Sequence, residues 1–131
     1  MQRKTGRCLC GAVRFSYEGP EIWRGHCHCE SCRRATSSPM TSFLGVPRTA
    51  VEFSGTPPQV YPSSPGVRRL FCGTCGSPLA YESERWPDET HLYAASLSDP
   101  KDFAPQFHAC YEEHLPWLEL ADRLPRRTGS D

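Results

Sequence analysis

The chain has 131 residues, and its 15 Lys plus Arg balance its 15 Asp plus Glu. That length fits one domain, taken as 1–131 with an approximate core of 4–125, and the neutral balance argues against nucleic acid as the main partner. No apolar run approaches the ~20 residues of a membrane-spanning helix, and the basic start at Met1 to Gly6 has no apolar segment of a secretory signal behind it.

A reducing, cytoplasmic setting follows as the expectation. In such a setting eight Cys point to metal or chemistry rather than to disulfides.

In chain order, Cys8-Leu9-Cys10-Gly11 comes first, a C-x-C-G pair. Ala12 to Tyr17 then alternates, with Val13, Phe15 and Tyr17 on one face and Arg14 and Ser16 on the other. Period two predicts a strand with one buried side. After Gly19-Pro20, Ile22-Trp23 begins a strand that delivers His26-Cys27-His28-Cys29.

Successive side chains of an extended segment point to opposite faces, so Cys27 and Cys29 share one face and His26 and His28 the other. The two His are therefore expected to be packed or hydrogen-bonded behind the thiols, not to ligate with them. Cys32 follows Cys29 at the spacing of a tight turn, and Arg33 to Ser38 reads as a short helical turn ended by Pro39.

Thr41 to Val46 and Thr49 to Phe53 read as short strands, and Thr56 to Gly66, rich in Pro, reads as a loop. Val67 to Phe71 runs into the knuckle Cys72-Gly73-Thr74-Cys75-Gly76, and Leu79 to Glu82 and His91 to Ala95 are further strands. Leu115 to Leu120 is expected to be a short helix or turn that packs through Trp117 and Leu120. Arg68-Arg69 and the cluster from Arg123 to Arg127 read as solvated surface. Thirteen Pro and ten Gly spread among many short runs favour a mainly β domain with little helix.

The eight thiols sort into two groups and a remainder. A C-x-x-C turn brings two sulfurs to one ion, and Gly76 permits the positive φ that turns backbone N–H groups toward them. With Cys8 and Cys10, the Cys72 and Cys75 pair makes a closed four-thiolate zinc site of structural type. Cys27, Cys29 and Cys32 supply only three corners of a tetrahedron and leave the fourth to a ligand.

Three sulfur anions make zinc a poor generator of hydroxide but a good host for a soft incoming thiol, which the metal deprotonates. Arg33 and Arg34 suit the carboxylates of such a substrate. Cys110, in the apolar stretch Phe107 to Tyr111, reads as a small buried hydrophobe. As a ligand instead, it would close the second site and weaken the case for catalysis.

Cys8-x-Cys10-Gly11, His26-Cys27-His28-Cys29-x-x-Cys32-Arg33 and Phe71-Cys72-x-x-Cys75-Gly76-Ser77-x-Leu79 together resemble the glutathione-dependent formaldehyde-activating enzyme family, which also includes centromere protein V. Pro116 to Pro125 resembles the family's C-terminal end. The resemblance implies a β-tent of short antiparallel strands stapled by zinc, with a structural ion on Cys8, Cys10, Cys72 and Cys75. It implies a second, catalytic and incompletely held ion on Cys27, Cys29 and Cys32.

For activity it implies condensation of glutathione with formaldehyde to S-hydroxymethylglutathione, classed as a carbon–sulfur lyase in reverse. The short neutral chain argues against a chromatin role. The competing reading is a non-catalytic zinc scaffold that binds protein or nucleic acid. A weaker one is a metal store or redox sensor built on the triplet.

Overall fold

The computed structural model describes residues 3–130. In chain order the strands are β1 (Lys4–Arg7), β2 (Val13–Tyr17), β3 (Trp23–Cys27), β4 (Thr41–Pro47), β5 (Val51–Gly55), β6 (Gln59–Ser64), β7 (Val67–Phe71), β8 (Pro78–Ser83), β9 (Glu89–Tyr93) and β10 (His108–Ala109). The α-helix among the described residues is α1 (Glu30–Thr36). Two sheets carry the strands, one in the order β1-β2-β5 and one in the order β10-β3-β4-β9-β8-β7-β6. Each named pair is antiparallel except β10, which lies parallel to β3.

Period two decides where the core sits. Val13, Phe15 and Tyr17 of β2 are at most 2% exposed, as their alternation requires. They pack with Leu44 and Val46 of β4, Leu92 of β9, and Leu79 and Ala80 of β8, so this core lies between the small sheet and the middle of the large one.

The other face of the large sheet is apolar too. Phe43 and Tyr93 there pack with Cys32, Trp23, Cys27, Cys29 and Tyr81. Burying one face against a second sheet leaves this second apolar face to line a cavity.

Small residues make room on that face. A Cβ on Gly45 would fall 2.3 Å from the Trp23 indole nitrogen, and one on Gly25 would fall 2.5 Å from the Phe107 ring. The two rings therefore cross the strands at positions that only glycine leaves bare.

Four local expectations change. The Pro-rich stretch expected as a loop contains β6, paired with β7 at the sheet's edge. An edge strand needs partners on one side only, and its register slips between Tyr61 and Ser64, where Pro62 has no N–H to give. Arg48–Ala50 is a 3₁₀ turn, so the strand expected from Thr49 begins at Val51.

The helix starts earlier than expected, at Glu30, because the Cys29 sulfur caps it by accepting from the Cys32 N–H. Trp117 does not pack into a core: it is 68% exposed.

Candidate metal centres and cavity

The first cluster forms at the seam of the two sheets. Cys8 and Cys10 leave the end of β1, and Cys72 and Cys75 occupy the turn between β7 and β8. The four sulfurs lie within 4.8 Å of one another. Cys8 Sγ and Cys10 Sγ are 3.7 Å apart, and Cys10 Sγ and Cys72 Sγ are 3.8 Å apart.

Four sulfurs on one zinc at about 2.3 Å would stand on a tetrahedron with edges of about 3.8 Å, so the donor set fits that ion. Bonded sulfurs would be about 2.05 Å apart, and all eight cysteines are free.

Backbone N–H groups from Ala12, Val13 and Cys75 point at the sulfurs of Cys10, Cys8 and Cys72 at 3.3–3.4 Å, which stabilises thiolate charge. Gly76 has φ +81°, as the knuckle requires, and its N–H reaches the Cys72 carbonyl at 2.8 Å. The Ser77 hydroxyl, with backbone N–H groups of Cys10 and Ser77, pulls the Cys75 thiol down to about 5.

The second cluster is Cys27 at the end of β3, Cys29 at the cap of α1 and Cys32 inside it, again within 4.8 Å of one another. Contacts from the Cys110, Cys27 and Cys32 thiols lower Cys29, while Cys110, Cys29 and Cys32 raise Cys27. Crowded sulfurs thus ionise one at the expense of another, and a cation among them removes that conflict.

The Cys110 thiol, which the sequence left as a packing residue, meets Cys27 and Cys29. It stands outside the set of three sulfurs that lie mutually within 4.8 Å.

His26 and His28 turn away from these sulfurs. His26 Nδ1 lies 2.9 Å from the Ser42 hydroxyl. His28, fully buried, forms a chain: its Nε2 lies 2.8 Å from His108 Nδ1, and His108 Nε2 lies 3.0 Å from the Asp122 carboxylate.

An ionised Asp122 only accepts, so His108 carries a proton on Nε2, and a single proton joins its Nδ1 to His28 Nε2. Asp122 is held down to about 2 by the Leu124 N–H, with His108 and Arg126 adding to it. Desolvation and the neighbouring imidazoles push His28 down to about 4, so it stays neutral. The chain fixes the backbone between Cys27 and Cys29 from behind.

The three thiols open on a cavity of about 1070 Å³. Trp23, Phe43, Tyr81, Trp86, Tyr93 and Phe107 give it aromatic walls. Arg34 and Arg69 line it as well, whereas Arg33 is not among the lining residues and holds its Nε buried without a hydrogen-bond partner.

Arg69 was expected on the surface with Arg68. Strand alternation separates them: Arg68 pairs outward with Glu82 at 3.0 Å, and Arg69 shares the cavity face with Val67 and Phe71. Its guanidinium sits 5.0 Å over the Tyr81 ring, donates to Ser63 at 3.2 Å and leaves Nη1 unpartnered.

Arg127 also departs from the surface reading. It lines the cavity and lies 4.2 Å over the Phe107 ring. The alternation Val67-x-Arg69-x-Phe71 was the available signal for Arg69, whereas Arg127 had none.

The glutathione-dependent formaldehyde-activating enzyme profile matches residues 3–113, so the chain belongs to that family. A Halomonas elongata protein, named as a candidate glutathione-dependent formaldehyde-activating enzyme, is 29% identical over 128 residues, covering 90% of this chain and 81% of its own. A Schizosaccharomyces pombe protein, named as an uncharacterized lyase, is 33% identical over 81 residues, covering 62% of this chain and 58% of its own.

A Rhodobacter sphaeroides protein of known crystal structure shares the fold at TM-score 0.64 and 19% identity, covering 94% of this chain and 99% of its own. Membership supports an enzyme, and two cysteine groups here are able to hold metal. No helix of the described residues is long and apolar enough to cross a membrane.

Proposed function

We propose that this chain is a zinc-dependent carbon–sulfur lyase that makes and cleaves the adduct of a small thiol with an aldehyde. Glutathione and formaldehyde are the pair that the family's name offers. The observation that carries the reading is a three-thiol cluster set in the wall of a large aromatic cavity. A zinc ion held by Cys27, Cys29 and Cys32 would acidify a thiol that reached its remaining position.

The protein's own groups do the rest. The Trp23, Phe107 and Tyr93 walls exclude water from the reacting sulfur. Arg69, with its free Nη1, and Arg34 take the carboxylates of the thiol, the role expected of the Arg33-Arg34 pair.

In the forward direction the sulfur lone pair bonds the aldehyde carbon and the carbonyl π electrons move to oxygen. That oxygen then needs a proton. Burial, with negative charge on Cys32, raises the Tyr93 hydroxyl, so it stays protonated and able to donate, and the proton given up by the thiol restores it.

Calorimetry with glutathione and a panel of small thiols, on zinc-loaded protein and on the Cys27→Ser, Cys29→Ser, Cys32→Ser triple variant, tests the reading. Thiol heat with wild type that disappears in the triple variant, together with S-hydroxymethyl adduct turnover, supports it. Equal heats, or unchanged zinc content in the triple variant, would end it.

A further inference from the structure

The second cluster has a neighbour that the proposed chemistry does not use. We propose that Cys110 is a fourth thiolate of this metal centre, occupying the place that a substrate thiol takes. The inference rests on reading Cys27, Cys29 and Cys32 as metal ligands, and goes beyond it by closing the centre at rest.

Topology brings Cys110 there. β10 runs parallel to β3 with His108 opposite His26 and Ala109 opposite Cys27. The ladder continues past the strands, His28 N–H donating to the Ala109 carbonyl at 3.1 Å. The residue after Ala109 is thereby set beside the Cys27 to Cys29 loop, although 81 positions separate Cys29 from Cys110 in the chain. The Cys110 thiol meets those of Cys27 and Cys29, is 8% exposed, and lines the same cavity.

The backbone agrees. Cys110 has φ +53° and ψ +39°, a left-handed conformation that a residue with a Cβ adopts at a cost. Its N–H donates to the Gly129 carbonyl at 2.7 Å and its carbonyl accepts from Glu113 N–H at 3.0 Å, which hold the turn. That turn fixes the position of Cys110 beside the Cys27 to Cys29 loop.

The chemistry agrees as well. Four thiolates on one divalent ion is the donor set of the first cluster, where all four sulfurs lie within 4.8 Å of one another. At the second cluster only three do. A fourth sulfur outside the tight set is the one an incoming thiol displaces most readily. On displacement, the proton that the incoming thiol gives up passes to the Cys110 sulfur, so no proton is lost or gained.

Cobalt-loaded protein reads thiolate number directly through its sulfur-to-metal charge-transfer band, with the triple variant supplying the first cluster's share. At the second cluster the band should fall by about a quarter in Cys110→Ser and Cys110→Ala, from four thiolates to three. Zinc should leave that cluster for a chelator at least ~10-fold more readily than in wild type, in line with the usual cost of weakening a site. In wild type, added glutathione should leave the band unchanged while iodoacetamide labelling of Cys110 rises several-fold.

The labelling arm needs no variant and so survives any folding defect. Identical bands and zinc retention in wild type and Cys110→Ser, or labelling indifferent to glutathione, would make Cys110 a packing residue while leaving the three-Cys centre intact. A band in the triple variant equal to wild type would remove the centre itself, and the reading of function with it.

Discussion

The two cysteine clusters are built from the same ligand but tie together different lengths of chain. The first joins Cys10 to Cys72 across 62 positions and across two sheets. The triplet of the second lies within six consecutive residues running from the end of β3 into α1.

Loop-closure entropy grows with the logarithm of loop length. A cross-link over the longer span removes about 2 kcal/mol more from the unfolded chain than one over the shorter. Among the described residues, five backbone N–H groups, of Cys10, Ala12, Val13, Cys75 and Ser77, also serve the first cluster's sulfurs, against that of Cys32 for the second. Loaded with an ion, the first would therefore hold the fold, while the second would be held by it, through β3, the N-terminus of α1 and the histidine chain behind. An ion that supports little of the fold is free to exchange a ligand.

The largest expected effect tests that contrast. Structural zinc in small domains contributes roughly 10–16 kcal/mol of apparent binding energy, comparable with the whole stability of a domain at about 5–15 kcal/mol. Cys72→Ser should unfold the protein at 25 °C, seen as loss of the β circular-dichroism signal. Cys29→Ser should keep the fold and lose one zinc by metal analysis. Equal damage from both would erase the distinction between staple and centre.

The next effect concerns the support behind the second cluster. His108→Ala leaves His28 Nε2 buried without its hydrogen-bond partner, at a cost of roughly 2–3 kcal/mol in denaturant unfolding. Zinc should then leave the second cluster more readily than the first. If both clusters lost zinc alike, the chain Asp122-His108-His28 would have no special tie to the loop.

That histidine chain also marks how far the sequence could be read. Alternation made β2 legible, because Val13, Phe15 and Tyr17 each bury against one partner sheet. Ligand spacing made both Cys clusters legible, because a C-x-x-C turn places two sulfurs locally whatever surrounds it. Extended geometry also foretold that His26 and His28 would face away from the thiols.

What was not legible depended on partners distant in the chain. β10 is two residues long and exists because β3 offers it an edge, so no local pattern announces it. Without β10, neither His108 nor Cys110 could be set beside residues 26–29. β6 was hidden by Pro62 within it and by Pro57, Pro58 and Pro65 around it, and an edge strand tolerates an internal Pro. Trp117 shows the converse, a large apolar residue for which this fold has no core position.

A smaller effect separates the cavity from the clusters. Arg69→Gln should weaken glutathione about 10-fold, near the low end for a charge-assisted hydrogen bond, and leave 2-mercaptoethanol unchanged. Zinc content should stay as in wild type, since Arg69 neighbours Cys32 without belonging to the donor set. Equal weakening of both thiols would mean that the guanidinium acts on the sulfur and not on the carboxylate.

The smallest effect lies on the cavity wall at His91, where it isolates acid sensitivity of the fold from that of the metal. His91 is packed edge-on to Trp23 at 4.7 Å, and both donate to Glu89 Oε1, at 2.9 and 3.0 Å. Desolvation lowers His91 from its usual 6.5 and outweighs the raising effect of Glu89.

A histidine depressed in the folded state is neutral there, while the unfolded chain protonates it below about 6.5. Its contribution is present in full above that pH and is lost as pH falls toward the folded value. Wild-type stability should thus decline from pH 6.5 downward, and His91→Gln, which cannot charge, should show a shallower decline. Chemical denaturation at pH 7.5, 6.5 and 5.5 measures both slopes. The difference between them belongs to His91 alone, because metal loss from protonated thiolates is common to the two proteins. Parallel slopes would show that Glu89 keeps His91 as easily protonated in the fold as in the open chain.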